Sequence, residues 1–349
     1  MSMFNNDKIA VIGDLHIGCH QSSEEWFKKC IEYGKWLKKE LTAKGIRDIV
    51  FLGDINDNRK MIYTTILSEI NTFFDLFKDF NLVLIVGNHD SYYNDRNDVN
   101  TIKFLGKYDN ITIIDSVTNV DVNGKSVTFC PWAFDPKSLG SGDVLFGHLE
   151  LNSFKQSFAH VCNDGLNPID LVKNYGLIFS GHFHLRDERV YKNGKIIYTG
   201  SAYELNYGDI ESIKGYYVLD ITDSSYTFFE NNISPKHVRM SVDKKKKKRK
   251  NKTLKKYIVN NIIKLIVSKN IEQKDLDKLI KAVNICKPFE FSVEYDIQKS
   301  VDTKFDSYDE QFSVLDNIVE FVEENVEDDF KKSVIKYITE KYETMECVV

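Results

Sequence analysis

The chain has 349 residues, more than one average domain needs, and its 42% hydrophobic and 28% charged composition is that of a globular protein, which excludes wholesale disorder. No apolar run approaches the roughly 18–20 residues of a spanning helix, and the opening MSMFNNDK lacks an apolar signal core, so a cytoplasmic protein with no membrane segment is expected. The net charge of −5 does not exclude a nucleic-acid partner, because ten Lys or Arg against one Asp fall within 243–257, while 14 acids against 5 bases fall within 300–349.

Short β-rich apolar runs at 9–12, 49–52, 82–86, 144–146 and 177–179 are bounded by polar or turn residues and fit buried strands. Between the first three lie stretches with helical spacing. Trp26, Ile31, Trp36 and Leu37 share one face, and Ile66, Ile70, Phe73, Phe74 and Phe77 share another. Strands alternating with helices predict an α/β core with parallel pairing. Residues 112–115, 119–122 and 126–130 read as adjoining strands with Asn123-Gly124 as a turn. A second pair spans 188–191 and 195–198 about Asn193-Gly194, and 216–221 with 226–230 completes the series. The expected product is a mixed two-sheet core flanked by helices. The run KKKKKRK at 244–250 reads as a solvated break. Beyond it, 254–267 and 274–283 read as helices and 289–295 as a strand, and apolar residues from Phe312 to Tyr342 recur at three- and four-residue steps. The six cysteines are scattered without a C-x-x-C pair and read as reduced thiols.

Five of the strand-like runs share one design: each ends in a glycine and then presents hard or borderline metal ligands. They give Gly13-Asp14-Leu15-His16, Gly53-Asp54, Gly87-Asn88-His89-Asp90, Gly147-His148 and Gly181-His182-Phe183-His184. Ligands at the carboxyl ends of strands lie in the crevice where open α/β sheets bind substrates. Carboxylate, imidazole and amide donors without thiolate favour Mn²⁺, Fe²⁺ or Zn²⁺ with oxygen substrates. A pair of metals needs a bridging carboxylate and suits in-line displacement at phosphorus, and Asp54 is the natural bridge. His89 is placed to protonate a leaving oxygen, with Asp90 as its orienting group. The remaining histidines, His20, His160 and His237, read as ordinary structural residues.

These five motifs, in this order, resemble the calcineurin-like metallophosphoesterases, over roughly residues 7–235. The stretches Gly53-Asp54-Ile55-Asn56-Asp57-Asn58-Arg59-Lys60, Gly147-His148-Leu149-Glu150-Leu151-Asn152 and Gly200-Ser201-Ala202-Tyr203-Glu204-Leu205 resemble the SbcD-type nucleases of DNA repair, most closely the nuclease subunits of tailed-bacteriophage recombination endonucleases. The resemblance implies two divalent cations, with Mn²⁺ the expected ion, one held by Asp14, His16, Asp54 and His184 and the other by Asp54, Asn88, His148 and His182. It implies His89 as the catalytic histidine. Asp57 stands where cellular members often carry a second histidine.

The implied fold is a two-sheet αββα sandwich followed by a small α+β cap and a C-terminal helical segment. The implied domains are a nuclease domain at 1–235, a basic linker at 236–253, a DNA-capping domain at 254–297, and an acidic linker with helices for an ATPase partner at 298–349. Such proteins dimerise through helices of the phosphoesterase domain, here 60–80 and 94–105 with Tyr92 and Tyr93 nearby. The expected partners are DNA, an SbcC-type ATPase and a second copy of the chain, in the cytoplasm of the host if the chain is phage-encoded. Tyr203 reads as a core tyrosine, with stacking on a base as its alternative. Two other functions stay open: a phosphatase on the same core, and a scaffold that mainly anchors the ATPase.

Overall fold

The computed structural model describes residues 3, 4, 6–158, 160–242, 251–268 and 271–296, with Lys331 and Ile335 as isolated helical positions. Residues Met1–Asp296 make one compact unit. In its first half, β1 (Lys8–Ile12), β2 (Asp48–Phe51), β3 (Asn81–Ile85) and β4 (Ile111–Ile114) pair in parallel. The connections carry α1 (Cys19–Ser22), a single turn, and the longer α2 (Glu24–Ala43) and α3 (Thr64–Asp75). Helix α2 starts where the Ser23 side chain accepts the Trp26 N–H, with Glu24 and Glu25 in its first turn. Its buried stripe of Trp26, Cys30, Tyr33, Leu37 and Leu41 follows three- and four-residue steps.

The second sheet uses β5 (Thr118–Val122), β6 (Lys125–Cys130), β7 (Gly142–His148), β8 (Tyr175–Gly181), β9 (Asp187–Val190) and β10 (Lys195–Tyr198), with α4 (Pro168–Asn174) leading into β8. The hairpin of β11 (Gly215–Asp220) and β12 (Ser225–Glu230) then returns to the first sheet beside β1. The two six-stranded sheets run β12-β11-β1-β2-β3-β4 and β5-β6-β7-β8-β10-β9.

Alternation along the central strands explains why their sequences are apolar without a break. Ile9 and Val11 of β1, with Val50, Val83 and Ile85, face the other sheet, where they meet Val144, Phe146 and Phe179. Ala10 and Ile12, with Ile49, Phe51, Leu82 and Leu84, face α2 and α3 instead. Strands covered on both faces need an apolar residue at every position. Leu145, Ile178, Ile196 and Tyr198 line the outer face of the second sheet against Leu171 and Val172 of α4. The core is therefore a two-sheet sandwich with helices outside, as expected.

Three local expectations change. Residues 112–115 and 119–122 do not adjoin, because β4 closes the edge of the first sheet while β5 pairs with β6 in the second. The stretch read as the start of the basic linker instead forms β13 (His237–Val242), the first strand of a third sheet. The helix read over 254–267 is α5 (Asn251–Ile258) followed by β14 (Ile262–Ser268). Asn260 has a φ of 57°, a left-handed turn that ends the helix. The run Ile262 to Val267 is apolar enough to pass for either period, and strand pairing decides it. α6 (Gln273–Ile285) and β15 (Glu290–Asp296) complete a three-stranded parallel sheet, β13-β14-β15. The lysine run and the acidic, amphipathic tail lie outside the described residues. Among the described residues, no helix is long and apolar enough to cross a membrane.

Candidate metal centre

The carboxyl ends of β1, β2 and β3 in one sheet meet those of β7 and β8 in the other, and all seven predicted ligand side chains gather there. Asp54 stands between two groups of donors. Its Oδ2 lies 3.6 Å from His16 Nε2, and its Oδ1 lies 3.4 Å from His148 Nε2. On the first side, the Nε2 atoms of His16 and His184 face each other at 3.1 Å, and Asp14 Oδ2 is 3.9 Å from His184 Nε2. On the second side, Asn88 Oδ1 lies 2.8 Å from His148 Nε2 and 2.9 Å from His182 Nδ1. Asp14, His16, Asp54 and His148 are buried, and the other three are half-buried.

The backbone is bent to achieve this. His16, Asp54 and His182 sit at φ values of 45°, 51° and 84°, a left-handed conformation that costs a non-glycine residue on the order of 1–3 kcal/mol. The N–H groups of Leu15 and His16 both donate to the Asp54 carbonyl, at 3.0 and 2.9 Å, which locks the first two loops together. Gly53, at φ 106°, is required by torsion as well as by space, and Gly87 by space. A Cβ on the first would collide with His148 Nδ1, and one on the second with Asp54 Oδ1.

The donor atoms are arranged for cations. His148 Nδ1–H donates to the Leu52 carbonyl at 2.8 Å, so its Nε2 is turned toward the oxygens of Asn88 and Asp54. His16 Nδ1–H donates to Asp57 Oδ1 at 3.2 Å, which turns its Nε2 inward in the same way. Asp14 Oδ2 is buried without a hydrogen-bond partner. Burial pushes the Asp14 carboxyl up to about 6, helped by the charge of Asp54 and opposed by His148 and His16. Burial works against the Asp54 charge too, but His148, His16 and His89 outweigh it and hold that carboxyl well below the usual range. For His148, burial disfavours the imidazolium, yet Asp54 and Asp14 raise it to about 9. Burial and neighbouring histidines push His182 and His184 down to about 3, so both rings are neutral and ready to ligate. A proton on His148 and a cation between His148, Asn88 and Asp54 are thus alternative ways to satisfy the same oxygens. The hard oxygens, borderline nitrogens and absence of sulfur suit a divalent metal. Among the described residues, Asp14–His16–His184 and Asp54–His148–His182 each offer donors within 4.8 Å of one another, as does His16–Asp57–His89.

His89 flanks the first side. Its backbone N–H donates to Asp54 Oδ1 at 2.8 Å and its ring lies edge-on to His16, with centroids 4.6 Å apart. Nδ1–H donates to the Asp57 carbonyl at 2.5 Å, leaving Nε2 as the other ring nitrogen. Asp90 does not orient this ring. Its buried carboxyl instead accepts the N–H groups of Gly87 and Asn56, both at 3.0 Å, and of Ile55 at 3.3 Å, tying the loop after β3 to the loop after β2. Neighbouring side chains in a tight turn diverge, so sequence adjacency did not translate into contact.

Three contributors lie outside the five motifs. Asp57 braces both His16 and His89, and only its offset from Asp54 hinted at a role. Trp132 comes from the turn after β6, with its ring centroid 4.8 Å from His182 and 6.1 Å from His148. It belongs to no spacing pattern. Behind His184, the buried Lys214 donates to the His184 carbonyl at 2.6 Å and to Asp209 at 2.8 Å. Tyr203 is a core residue and does not stack on a base. Its ring is buried against Trp26 and Tyr33, and its hydroxyl donates to the Leu15 carbonyl at 2.5 Å.

The calcineurin-like phosphoesterase family pattern matches residues 7–186, just over half of the chain. Exonuclease subunit 1 of Enterobacteria phage T4 is 28% identical over 321 residues, covering 85% of this chain and 89% of that protein. Among solved structures, a hypothetical protein from Pyrococcus horikoshii is similar at 14% identity and a TM-score of 0.38, over 82% of this chain and 99% of its own. An archaeal phosphodiesterase is similar at 15% identity and a TM-score of 0.35, over 64% of this chain and 99% of its own. The chain belongs to the calcineurin-like phosphoesterases, metal-dependent hydrolases of phosphate esters.

Proposed function

We propose that the protein is the nuclease subunit of an SbcCD-type complex, acting on DNA as exonuclease and single-strand endonuclease during recombination and double-strand-break repair in the cytoplasm. The observation that carries this reading is the Asp54 carboxylate, whose two oxygens address two separate sets of donors. Asp14, His16, Asp54 and His184 would hold one cation, and Asp54, Asn88, His148 and His182 the other. Two divalent cations, Mn²⁺ in this reading, supply Lewis-acid charge at the phosphate and lower the pKa of a water. The side chains then divide the remaining work. His89, its Nδ1–H committed to the Asp57 carbonyl, uses Nε2 to deliver a proton to the departing oxygen. Asp57 holds His16 and His89 in register, and Asp90 keeps the two loops that carry Asp54 and Asn88 at fixed spacing.

DNA as substrate rests on the similarity to a phage exonuclease subunit along most of both chains. That relative's name as a subunit supports a partner, here an ATPase docked on residues 298–349. A second copy of the chain would cover the exposed Met61, Tyr63 and Leu67 together with Tyr92 and Tyr93. The Arg59 side chain donates to Asn94, bringing the two segments together. The capping domain, 254–297, would hold DNA beside the centre.

End-labelled single- and double-stranded DNA incubated with the protein and Mn²⁺, with and without the ATPase, tests the reading. Metal-dependent shortening is expected. Turnover of phosphopeptides with intact DNA would favour the phosphatase alternative. Removing residues 300–349 is expected to spare manganese-dependent cleavage and abolish co-purification with the ATPase.

A further inference from the structure

The small sheet is all-parallel, and parallel sheets are normally covered on both faces. Here Val238, Ile263 and Phe291 pack toward Ile258 of α5 and Val283 of α6, while Leu265 and Val267 meet Leu276. The opposite face alternates with these and carries His237, Arg239 and Ser241, then Ile262 and Lys264, then Glu290, Ser292 and Glu294. Ile262 and His237 are buried against the phosphoesterase core, but among the described residues Arg239, Ser241, Ser292 and Glu294 are exposed. Between this face and the core lies a cavity of about 470 Å³ lined by His20, Leu205, Tyr207, His237, Glu290 and Ser292. That volume falls within the roughly 300–1,000 Å³ of small-ligand sites.

The lining selects the ligand. The rings of Tyr207 and His237 meet edge to face at 4.8 Å and those of His20 and His237 lie near-parallel at 5.8 Å, so one wall is aromatic, with His237 buried and His20 and Tyr207 half-buried. Glu290 and Ser292 supply hydrogen-bond acceptors. Glu290, with Glu204 bonded to His237 behind the wall, disfavours a phosphate inside. Cations sit outside instead: Lys264 Nζ is 4.5 Å and the Arg239 guanidinium 5.6 Å from the Tyr207 ring centroid, and Lys264 Nζ is paired at 2.9 Å with the exposed Glu294, a partner that a phosphate would displace. An uncharged planar group within and anions at the rim describe a nucleotide in a strand. His20 follows the ligand His16 by four residues, on three successive left-handed residues, His20, Gln21 and Ser22, so the cavity borders the metal-centre loop.

We propose that this cavity receives one nucleobase of a single-stranded DNA substrate, with the adjoining phosphates on Arg239 and Lys264. The proposal deepens the nuclease reading and rests on it. Base stacking on aromatic side chains tolerates any sequence, so the site would measure position along the strand and not base identity.

The test uses the full-length protein with Mn²⁺ and single-stranded oligonucleotides in which one abasic residue is moved stepwise along the strand. One position is expected to lower kcat/KM about tenfold, with the others within about twofold. Tyr207→Ala is expected to lower cleavage of the intact strand by a similar factor and to erase the abasic effect. Equal rates at every abasic position, with intact DNA cleaved normally, would overturn the cavity proposal and leave the nuclease reading standing. A Tyr207→Ala protein that kept the abasic effect would overturn it as well. Failure of the wild type to cut any DNA would overturn both.

Discussion

The two sides of the metal centre share Asp54 but are held by different means. On the second side, main chain and packing fix the donors: His148 is oriented by the Leu52 carbonyl, Asn88 is caught between two imidazoles, and Trp132 walls His182. On the first side, side-chain and loop contacts hold them: Asp57 behind His16, Lys214 behind His184, and a His184 ring that is 28% exposed. A ligand oriented by the backbone moves only when the strand moves, whereas one oriented by a side chain can be released by one substitution. The second side should therefore be the more persistent site and the first the more adjustable.

The change that removes the comparison altogether has the largest effect. Asp54→Asn takes a charge from both sides and leaves the raised His148 without its main partner. Loss of both metals and a fall in cleavage to background are expected. Elemental analysis checks the metals, and normal cleavage would refute the shared role of Asp54. His89→Gln should leave both sides intact, with metal content unchanged and kcat lower by about 10²–10⁴-fold, the range of general acid catalysis. Equal metal loss in this variant would make His89 a ligand instead of a proton donor.

Acidity distinguishes the sides by the groups that must lose protons before a metal can enter. His148, on the second side, holds its proton up to about 9; on the first, Asp14 holds its proton up to about 6, and His16, lowered by burial but raised by the Asp57 hydrogen bond and the charges of Asp54 and Asp14, ends above the ordinary imidazole value. His182 and His184 are neutral at any working pH. Metal affinity should therefore rise with pH from below 6 toward 9, with proton release on binding. Without metal the sign reverses. A His148 raised from its unfolded value near 6.5 adds stability that is complete below pH 6.5 and is lost as pH climbs through about 9. Calorimetric titration of the metal-free protein in buffers of different ionisation enthalpy, together with thermal melting across pH 6–10, would expose a flat response if this is wrong.

The centre was legible because each ligand follows a buried strand and a glycine, a pattern that depends only on local sequence. The roles of Asp57 and Trp132 depend on how separate loops meet. Nothing local says that the Asp90 carboxyl turns toward backbone amides while the Asp57 carboxyl turns toward His16 and its carbonyl toward His89. The sandwich was legible for the same local reason, since runs such as 82–86 are apolar at both parities and read as doubly covered strands. The third sheet was not. The run from Ile262 to Val267 satisfies a helix as well as a strand, and His237 to Val242 alternates beside a lysine run that draws attention to charge. Their identity is decided by pairing in register, His237 with Ile262 and Ile262 with Glu290, 25 and 28 residues farther along the chain.

The smallest predicted effect probes the asymmetry most directly. Asp57→Asn keeps the size of the side chain but removes the charge that accepts from His16 Nδ1–H. Such outer partners of metal-bound histidines are worth about 10–100-fold in metal affinity. The His89 contact is to the Asp57 carbonyl and survives the substitution. The variant should therefore bind one metal as tightly as the wild type and the second about tenfold or more weakly, with cleavage recovering at high Mn²⁺. Equal weakening of both metals would mean that the centre is one rigid unit, and that the distinction between backbone-held and side-chain-held ligands has no energetic consequence.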